Sequence, residues 1–362
     1  MNELNDELWR AKYQETLMTT SGGLTAAKRN DKWGFVNHNG KEICPFKYDS
    51  VLPFLMGTAT VSIANQWGVI DDNGKEIVPV YYDKAFYFSY ELAQVIKNGK
   101  TGFVNKRGEV AIPLIYDELH PFMSYITCAK KDGKAGYINI KGKIVIDFVY
   151  DEALPFFENL AAVKRNDKWG FIDKKNNLII DFQYDDVENF WEGVAKVKKG
   201  NHWGLIDDKN TLLIPAEYDD VVRFVEGLAP VMRNDKWGVI DAKGNLICPL
   251  QYDEIYDFHN GYAIVELNEK LGYINKKGEE ICAPKYDEAR DFKGKMAAVC
   301  QDDKWGFIDE KGTEIVELKF DEVYDFDENP FTLGIIDDEE WVVWNNGHIT
   351  SYEEFKKQAK KL

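Results

Sequence analysis

The sequence lacks any run of about 18 apolar residues, the length a helix needs to cross a bilayer. Its opening stretch, MNELNDELWRAKYQETLMTT, has neither a basic n-region nor an apolar h-region, so a soluble, cytoplasmic protein is expected. Positive charge is short: 45 Lys and Arg face 62 Asp and Glu, a net charge of -17. A surface that acidic repels phosphate backbones and anionic headgroups, and neither nucleic acid nor membrane is an expected partner. The five histidines, His38, His120, His202, His259 and His348, are scattered without metal-ligand spacing. There is no nucleophile elbow, and no glycine-rich phosphate loop opens a helix. No catalytic residue, metal or cofactor is therefore expected, and the chain is read as a non-enzyme.

What is present is apolar and repetitive. Hydrophobic residues make up 44% and aromatics 14% of the 362 residues, enough for a substantial core. Nine glycines recur every 34 residues: Gly34, Gly68, Gly102, Gly136, Gly170, Gly204, Gly238, Gly272 and Gly306. Nine units over residues 21–326 leave no room for a second ordinary domain.

A 34-residue period also suits pairs of helices, so the columns must choose. After each glycine comes Phe, Tyr, Val or Leu and then Val or Ile, as in Phe35-Val36 and Leu205-Ile206, which favours a covered strand. Asn37 and its equivalents follow, and three residues later only Gly or Asn occurs, from Gly40 through Asn176 and Asn210 to Gly312. These accept positive φ and close a hairpin. A second apolar pair such as Ile43-Cys44 often ends in proline, at Pro45, Pro79, Pro113, Pro215 and Pro249, which marks a strand end or edge. Cys44, Cys248 and Cys282 share their column with Val and Ile, so cysteine there acts as a small apolar residue. Each unit closes on Tyr-Asp (Phe320-Asp321 in the last), with a phenylalanine five residues beyond, Phe54 to Phe326.

The expected fold is an all-β repeat protein of nine three-stranded antiparallel units. An open solenoid-like array is favoured over a closed propeller-like ring, because propeller blades usually need four strands and more residues. Open ends require caps. Leu4, Leu8, Tyr13 and Leu17 are spaced for a helical cap over 1–20, and residues 327–350 read as a degraded tenth unit. In that unit Glu339 and Glu340 stand in the Trp and Gly columns, with Asn346 in the turn column. Ser351 and Glu354 form a capping box that opens a helix over 351–362, with Phe355, Ala359 and Leu362 on one side.

The copies of DKWGFID, the following turn glycine and YDE resemble the WG-repeat, or KWG-repeat, family of bacterial proteins. The resemblance implies non-catalytic interaction modules, without a shared ligand or catalytic residue to transfer. The chain departs from the motif at Thr101, Ala135 and Leu271, where tryptophan is missing.

Several columns could carry binding. Trp33, Trp67, Trp169, Trp203, Trp237 and Trp305 could stack on a glycan or peptide, although packing between repeats is the plainer reading. Ala135 would leave a hole in such packing, which argues that some rings are only partly buried. The Asp of each Tyr-Asp pair is read as a turn or capping residue rather than a calcium ligand. The lysines two before the glycines, with Gln66 and His202 as exceptions, are read as a solvated face that discourages edge pairing. Specificity is expected at variable connector residues, His120, Arg223, Tyr256 and Arg290. The function expected is an intracellular protein-binding or scaffolding protein, with a glycan-binding array as the alternative.

Overall fold

The computed structural model describes residues 9–17, 22–89, 91–326 and 329–359. The chain divides into two bodies, residues 1–183 and 184–362, each considered by itself below. Among the described residues there are ten four-stranded antiparallel sheets, five in each body, and no sheet closes into a barrel.

One sheet serves as the pattern. Ser50–Val51 pairs with Thr58–Ile63, which pairs with Gln66–Asp71, which pairs with Glu76–Tyr82. The three long strands are those the columns predict. The fourth follows each Tyr-Asp and crosses to the next sheet; apart from Lys84–Ser89 it is two residues long, too short to show a periodic signal. The sheets are therefore out of phase with the Trp-Gly period, each drawing its first strand from the end of the preceding repeat.

The glycine column has a steric cause. The register slips across these glycines and again after the residue that follows each, bulging the last strand toward them. A Cβ at Gly170 would lie 2.6 Å from the carbonyl oxygen of Ile180, and one at Gly238 would lie 2.6 Å from that of Cys248. The turn column has a conformational cause instead: Gly40, Asn176 and Asn210 sit at φ of 73°, 67° and 64°. Asn37 Oδ1 accepts hydrogen bonds from the amides of Asn39 and Lys41, both at 3.0 Å, fixing the loop before the turn.

Apart from the Trp9 cluster at the start of the first sheet, the core clusters join adjacent sheets. Tyr252, Phe258 and Trp237, for example, pack with Cys248, Val265 and Ile274. The cysteines are all free and buried. Burial pushes Cys44 and Cys248 up to about 11 and Cys128 up to about 12.

Two end features differ from expectation. Leu4 and Leu8 lie outside the described residues, but Tyr13 and Leu17 do not share a helix face. The segment turns after Arg10, and Glu15–Thr16 pairs with Leu24–Arg29. This segment supplies to the first sheet the short strand that a preceding repeat supplies to the others. Trp9, buried beside Val36 and Phe46, covers the turn at Gly40, a position that a preceding sheet covers elsewhere.

At the other end, the tenth sheet is offset by one residue. Glu322–Val323 pairs with Phe331–Ile336, which pairs with Glu339–Trp344 and then Ile349–Ser351. Gly334 opposes Trp341 where Val299 opposes Gly306, so Glu340 occupies the Trp column and Trp341 the Gly column. Gly347, at φ 82°, holds the turn that spacing assigns to Asn346. One extra residue between Tyr324 and Leu333 causes the offset, because the Tyr324–Leu333 backbone bond matches that of Arg290 with Ala298. A helix over Tyr352–Ala359 follows, capped by Ser351 Oγ accepting from the Glu354 amide at 3.3 Å. Its Phe355 packs on Phe331 and Trp344.

Candidate functional site

The repeating charged residues face one another. Lys100 Nζ lies 2.5 Å from Asp117, and Lys134 Nζ lies 2.6 Å from Asp151. Lys32 with Asp49, Lys236 with Asp253, Lys270 with Asp287 and Lys304 with Asp321 repeat the pair. The second oxygen of each aspartate accepts an amide from the next hairpin turn, as Asp151 does from Asn166 at 2.8 Å and Asp253 from Asn268 at 2.7 Å. The aspartate thus clasps two successive sheets. The lysine and the backbone amide hold Asp49, Asp117, Asp151, Asp253, Asp287 and Asp321 below the usual carboxylate range.

The exceptions keep the clasp. Gln66 replaces lysine in its repeat, and there Lys97 of the following sheet reaches both Gln66 Oε1, at 2.7 Å, and Asp83, at 3.2 Å. His202 lies 3.5 Å from Asp219. These aspartates are therefore clamps between sheets rather than local Asx-turns, and the lysine face is ion-paired to them. The motif Asn-Asp or Asn-Gly just before the lysine, as at Asn166-Asp167, was the available signal. Both residues have positive φ and form the tight turn that offers the clasping amide.

The tryptophans do not form an exposed ladder. Trp169, Trp237 and Trp305 are 6, 8 and 8% exposed, while Trp33, Trp67 and Trp203 are half-buried. Trp237 packs with Val222 and Met232 of its own sheet and Ile255 of the next. Cations cover four of the six rings: Lys28 lies over Trp33 at 5.8 Å, Lys164 over Trp169 at 5.7 Å, Lys198 over Trp203 at 5.3 Å and Arg290 over Trp305 at 4.3 Å. An indole wedged between sheets beneath a cation leaves little face for a sugar.

The connector residues separate into two groups. Arg223 ties back to the preceding repeat, through Glu188 at 3.3 Å and the Asn189 carbonyl at 3.1 Å. Arg290 ties forward to the following repeat, holding the Val323 carbonyl at 2.9 Å and Asp325 at 3.3 Å. Tyr256 and His120 are exposed.

Two clefts mark places where tryptophan is missing. One, of about 550 Å³, is lined by Tyr256, Ile264, Leu271, Ala289 and Arg290, with Asp257, His259, Asp291, Lys293 and Asp325 around them. The other, of about 280 Å³, is lined by His120, Cys128, Ala135, Ala153 and Leu154, with Glu118, Ala129, Lys130 and Glu152. Tyr256, Ile264, Leu271, Ala289 and Arg290 are each 136 residues, four periods, beyond His120, Cys128, Ala135, Ala153 and Leu154. The two clefts are one site seen in two repeats. Of the sequence-derived candidates they gather His120 in one and Tyr256 with Arg290 in the other. Among the described residues no three His, Cys, Asp or Glu side chains group to hold a metal.

A further surface was not singled out from sequence. Lys47 pairs with Glu76 at 2.7 Å and Lys285 with Glu314 at 2.8 Å, each joining the last strands of adjacent sheets. In the intervening repeats of the first body the same two positions hold Tyr81 and Val110, Ile115 and Ile144, and Val149 and Leu178. These are exposed, with Val110 at 54%, Ile144 at 47% and Leu178 at 44%, beside exposed Val145 and Ile179. Asp147 and Asp181 stand on these strands in the column that carries proline elsewhere, and neither has an ion-pair partner among the described residues.

Among solved structures, similar ones include a eukaryotic initiation factor, at 11% identity over 82% of this chain and 96% of that one, with a TM-score of 0.39. The C-terminal WD40 domain of Sif2 is similar at 9% identity over 70% and 89%, with a TM-score of 0.30. Likenesses at this level support no transfer of function. No curated protein sequence matches the chain. The model of the "WG containing repeat" matches nine times in tandem, at residues 33–65, 67–100, 102–134, 136–169, 169–202, 203–237, 237–270, 272–305 and 305–333. With clasp, bulge glycine and wedged indole recurring at that period, the chain belongs to the WG-repeat family.

Proposed function

We propose that this chain is a non-catalytic scaffold that binds a partner protein, and that the partner seats on the last strands between Val110 and Ile179. The carrying observation is the replacement of an inter-sheet ion pair by exposed apolar pairs. The fold is satisfied by Lys and Glu at these positions, as Lys47–Glu76 shows, so folding alone does not call for Val110, Ile144 and Leu178. A contiguous apolar surface on successive strands is an interaction signature. Asp147 and Asp181 within it favour a partner segment that combines apolar side chains with Lys or Arg.

The clasps support the non-catalytic part, since the recurring carboxylates and ammonium groups already hold one another. We place the protein in the cytoplasm, where five free thiols stay reduced.

The test compares the intact protein with a triple variant, Val110→Glu, Ile144→Glu and Leu178→Glu, in affinity capture and sedimentation. Loss of a basic, apolar partner by the triple variant, at an unchanged melting temperature, is the expected result. Equal capture by both proteins would overturn the reading. Self-association abolished by the variant would identify a second copy of the chain as the partner.

A further inference from the structure

The cleft at Ala135 is a position the molecule fills elsewhere with its own aromatic ring. In the repeat three periods on, Trp237 packs with Val222, Met232 and Ile255. Those four positions correspond to Ala135, His120, Lys130 and Ala153, all of which line the cleft. In the repeat five periods on, Trp305 packs with Cys300 and Val323, the positions of Lys130 and Ala153, beneath Arg290. The cleft is therefore an indole site without its indole.

Its cation is also in place. The column of Lys130 supplies Lys28 over Trp33, Lys164 over Trp169 and Lys198 over Trp203. Lys164 and Lys28 each pair with a glutamate of the adjoining short strand, at 2.9 and 3.9 Å. Lys130 faces Glu118 across its strand pair, yet its ammonium has no ion-pair or hydrogen-bond partner among the described residues. Alanine at 153 keeps the opposite wall short. Where tryptophan is missing at Thr101, the corresponding wall residue is the larger, buried Leu119.

We propose that the Ala135 cleft is a binding site for a planar aromatic group, above all an indole or phenol side chain presented by a partner protein. The ring enters between Ala135 and Ala153, takes the face of Lys130 as a cation, and presents its N–H or O–H to the rim carboxylates of Glu118 or Glu152. At about 280 Å³ the cleft suits one ring system rather than a larger ligand. Only the source of the ring rests on the scaffold reading; the acceptor site itself follows from the repeat geometry.

The experiment titrates the full chain with N-acetyltryptophanamide and, as control, N-acetylleucinamide, following the methyl signals of Ala135, Ala153 and Leu154 and the heat of binding. Saturable millimolar binding of the tryptophan amide, with the leucine amide clearly weaker, is expected. Ala135→Trp should abolish binding by supplying the missing ring, and Ala153→Leu should do so from the opposite wall if the first variant folds poorly. Lys130→Met should weaken binding by about threefold, the weight of an exposed cation–π contact, while Lys130→Arg retains it. Absence of saturable shifts, or equal binding by both filling variants, would overturn the assignment. The triple glutamate variant should bind the amide normally, so failure of the cleft and failure of the scaffold surface give different results.

Discussion

Replacing Trp237 by alanine should remove one unit of packing between sheets. The ring is 8% exposed and sits among Val222, Val225, Met232 and Ile255. A buried tryptophan removes about 150–250 Å² from water, which at about 25 cal/mol per Å² gives about 4–6 kcal/mol. The β-carbon remains and neighbours relax partly, so the expected cost is about 3–5 kcal/mol. Leucine occupies this column at position 271, so Trp237→Leu should cost less than half as much. Urea unfolding followed by far-ultraviolet circular dichroism measures both without relying on the deleted fluorophore. A loss below about 1 kcal/mol for Trp237→Ala, at an unchanged denaturant slope, would refute the claim that the indole is a structural wedge. It would return the tryptophan column to the list of contact surfaces.

Other expectations follow from the same geometry. Gly170→Ala puts a Cβ 2.6 Å from the Ile180 carbonyl oxygen and should destabilise by about 2 kcal/mol or more, as overpacking against backbone does. Gly142→Ala meets only ordinary contacts with Ile112, so positive φ alone should cost about 1 kcal/mol; thermal melts of the two variants should separate them. The clasp aspartates have folded values depressed below their unfolded value, so their contribution is present above about pH 4 and lost as pH falls through the folded values. The melting temperature should be level from pH 7 to 5 and drop below 4, and a drop centred near pH 6 would contradict the clasp. The buried thiols, with Cys44 and Cys248 at about 11 and Cys128 at about 12, should resist iodoacetamide at pH 8 until the chain is unfolded, as mass spectrometry would show.

Much of the repeat was legible because single residue types answer single constraints. Only Gly or Asn suits the turn at Gly40 and Asn176, and apolar columns such as Phe35-Val36 reach the core in every copy. The fourth strand was not legible, since two residues such as Ser50–Val51 carry no period. Nor was the clasp, because Asp151 meets the Asn166 amide only once sheets adjoin, and a charge column reads the same whether solvated or paired. The tenth unit misled because one inserted residue moved Trp341 into the glycine column, opposite Gly334, which instead leaves room for the Phe320 ring. Of the candidate sites, the informative signal lay in departures from the motif. Ala135 and Leu271 mark both clefts, while the recurring tryptophans line neither. Arg223 and Arg290 varied among repeats without being free, since each is held by a neighbouring repeat.

The half-step offset between sheet and sequence period bears on how this chain can be shortened. The family model places a boundary near residue 101, inside the strand Lys100–Asn105, whereas a sheet ends at Tyr116. A truncation at the motif boundary severs a strand, and one just after Tyr116 leaves whole sheets on the retained side. Excising residues 84–117 as a block would remove one complete sheet and rejoin Asp83 to Glu118, with the next short strand entering in register. Minimal fragments, grafts and length variants of the array are best cut by the Tyr-Asp step rather than by the Trp-Gly that gives the family its name.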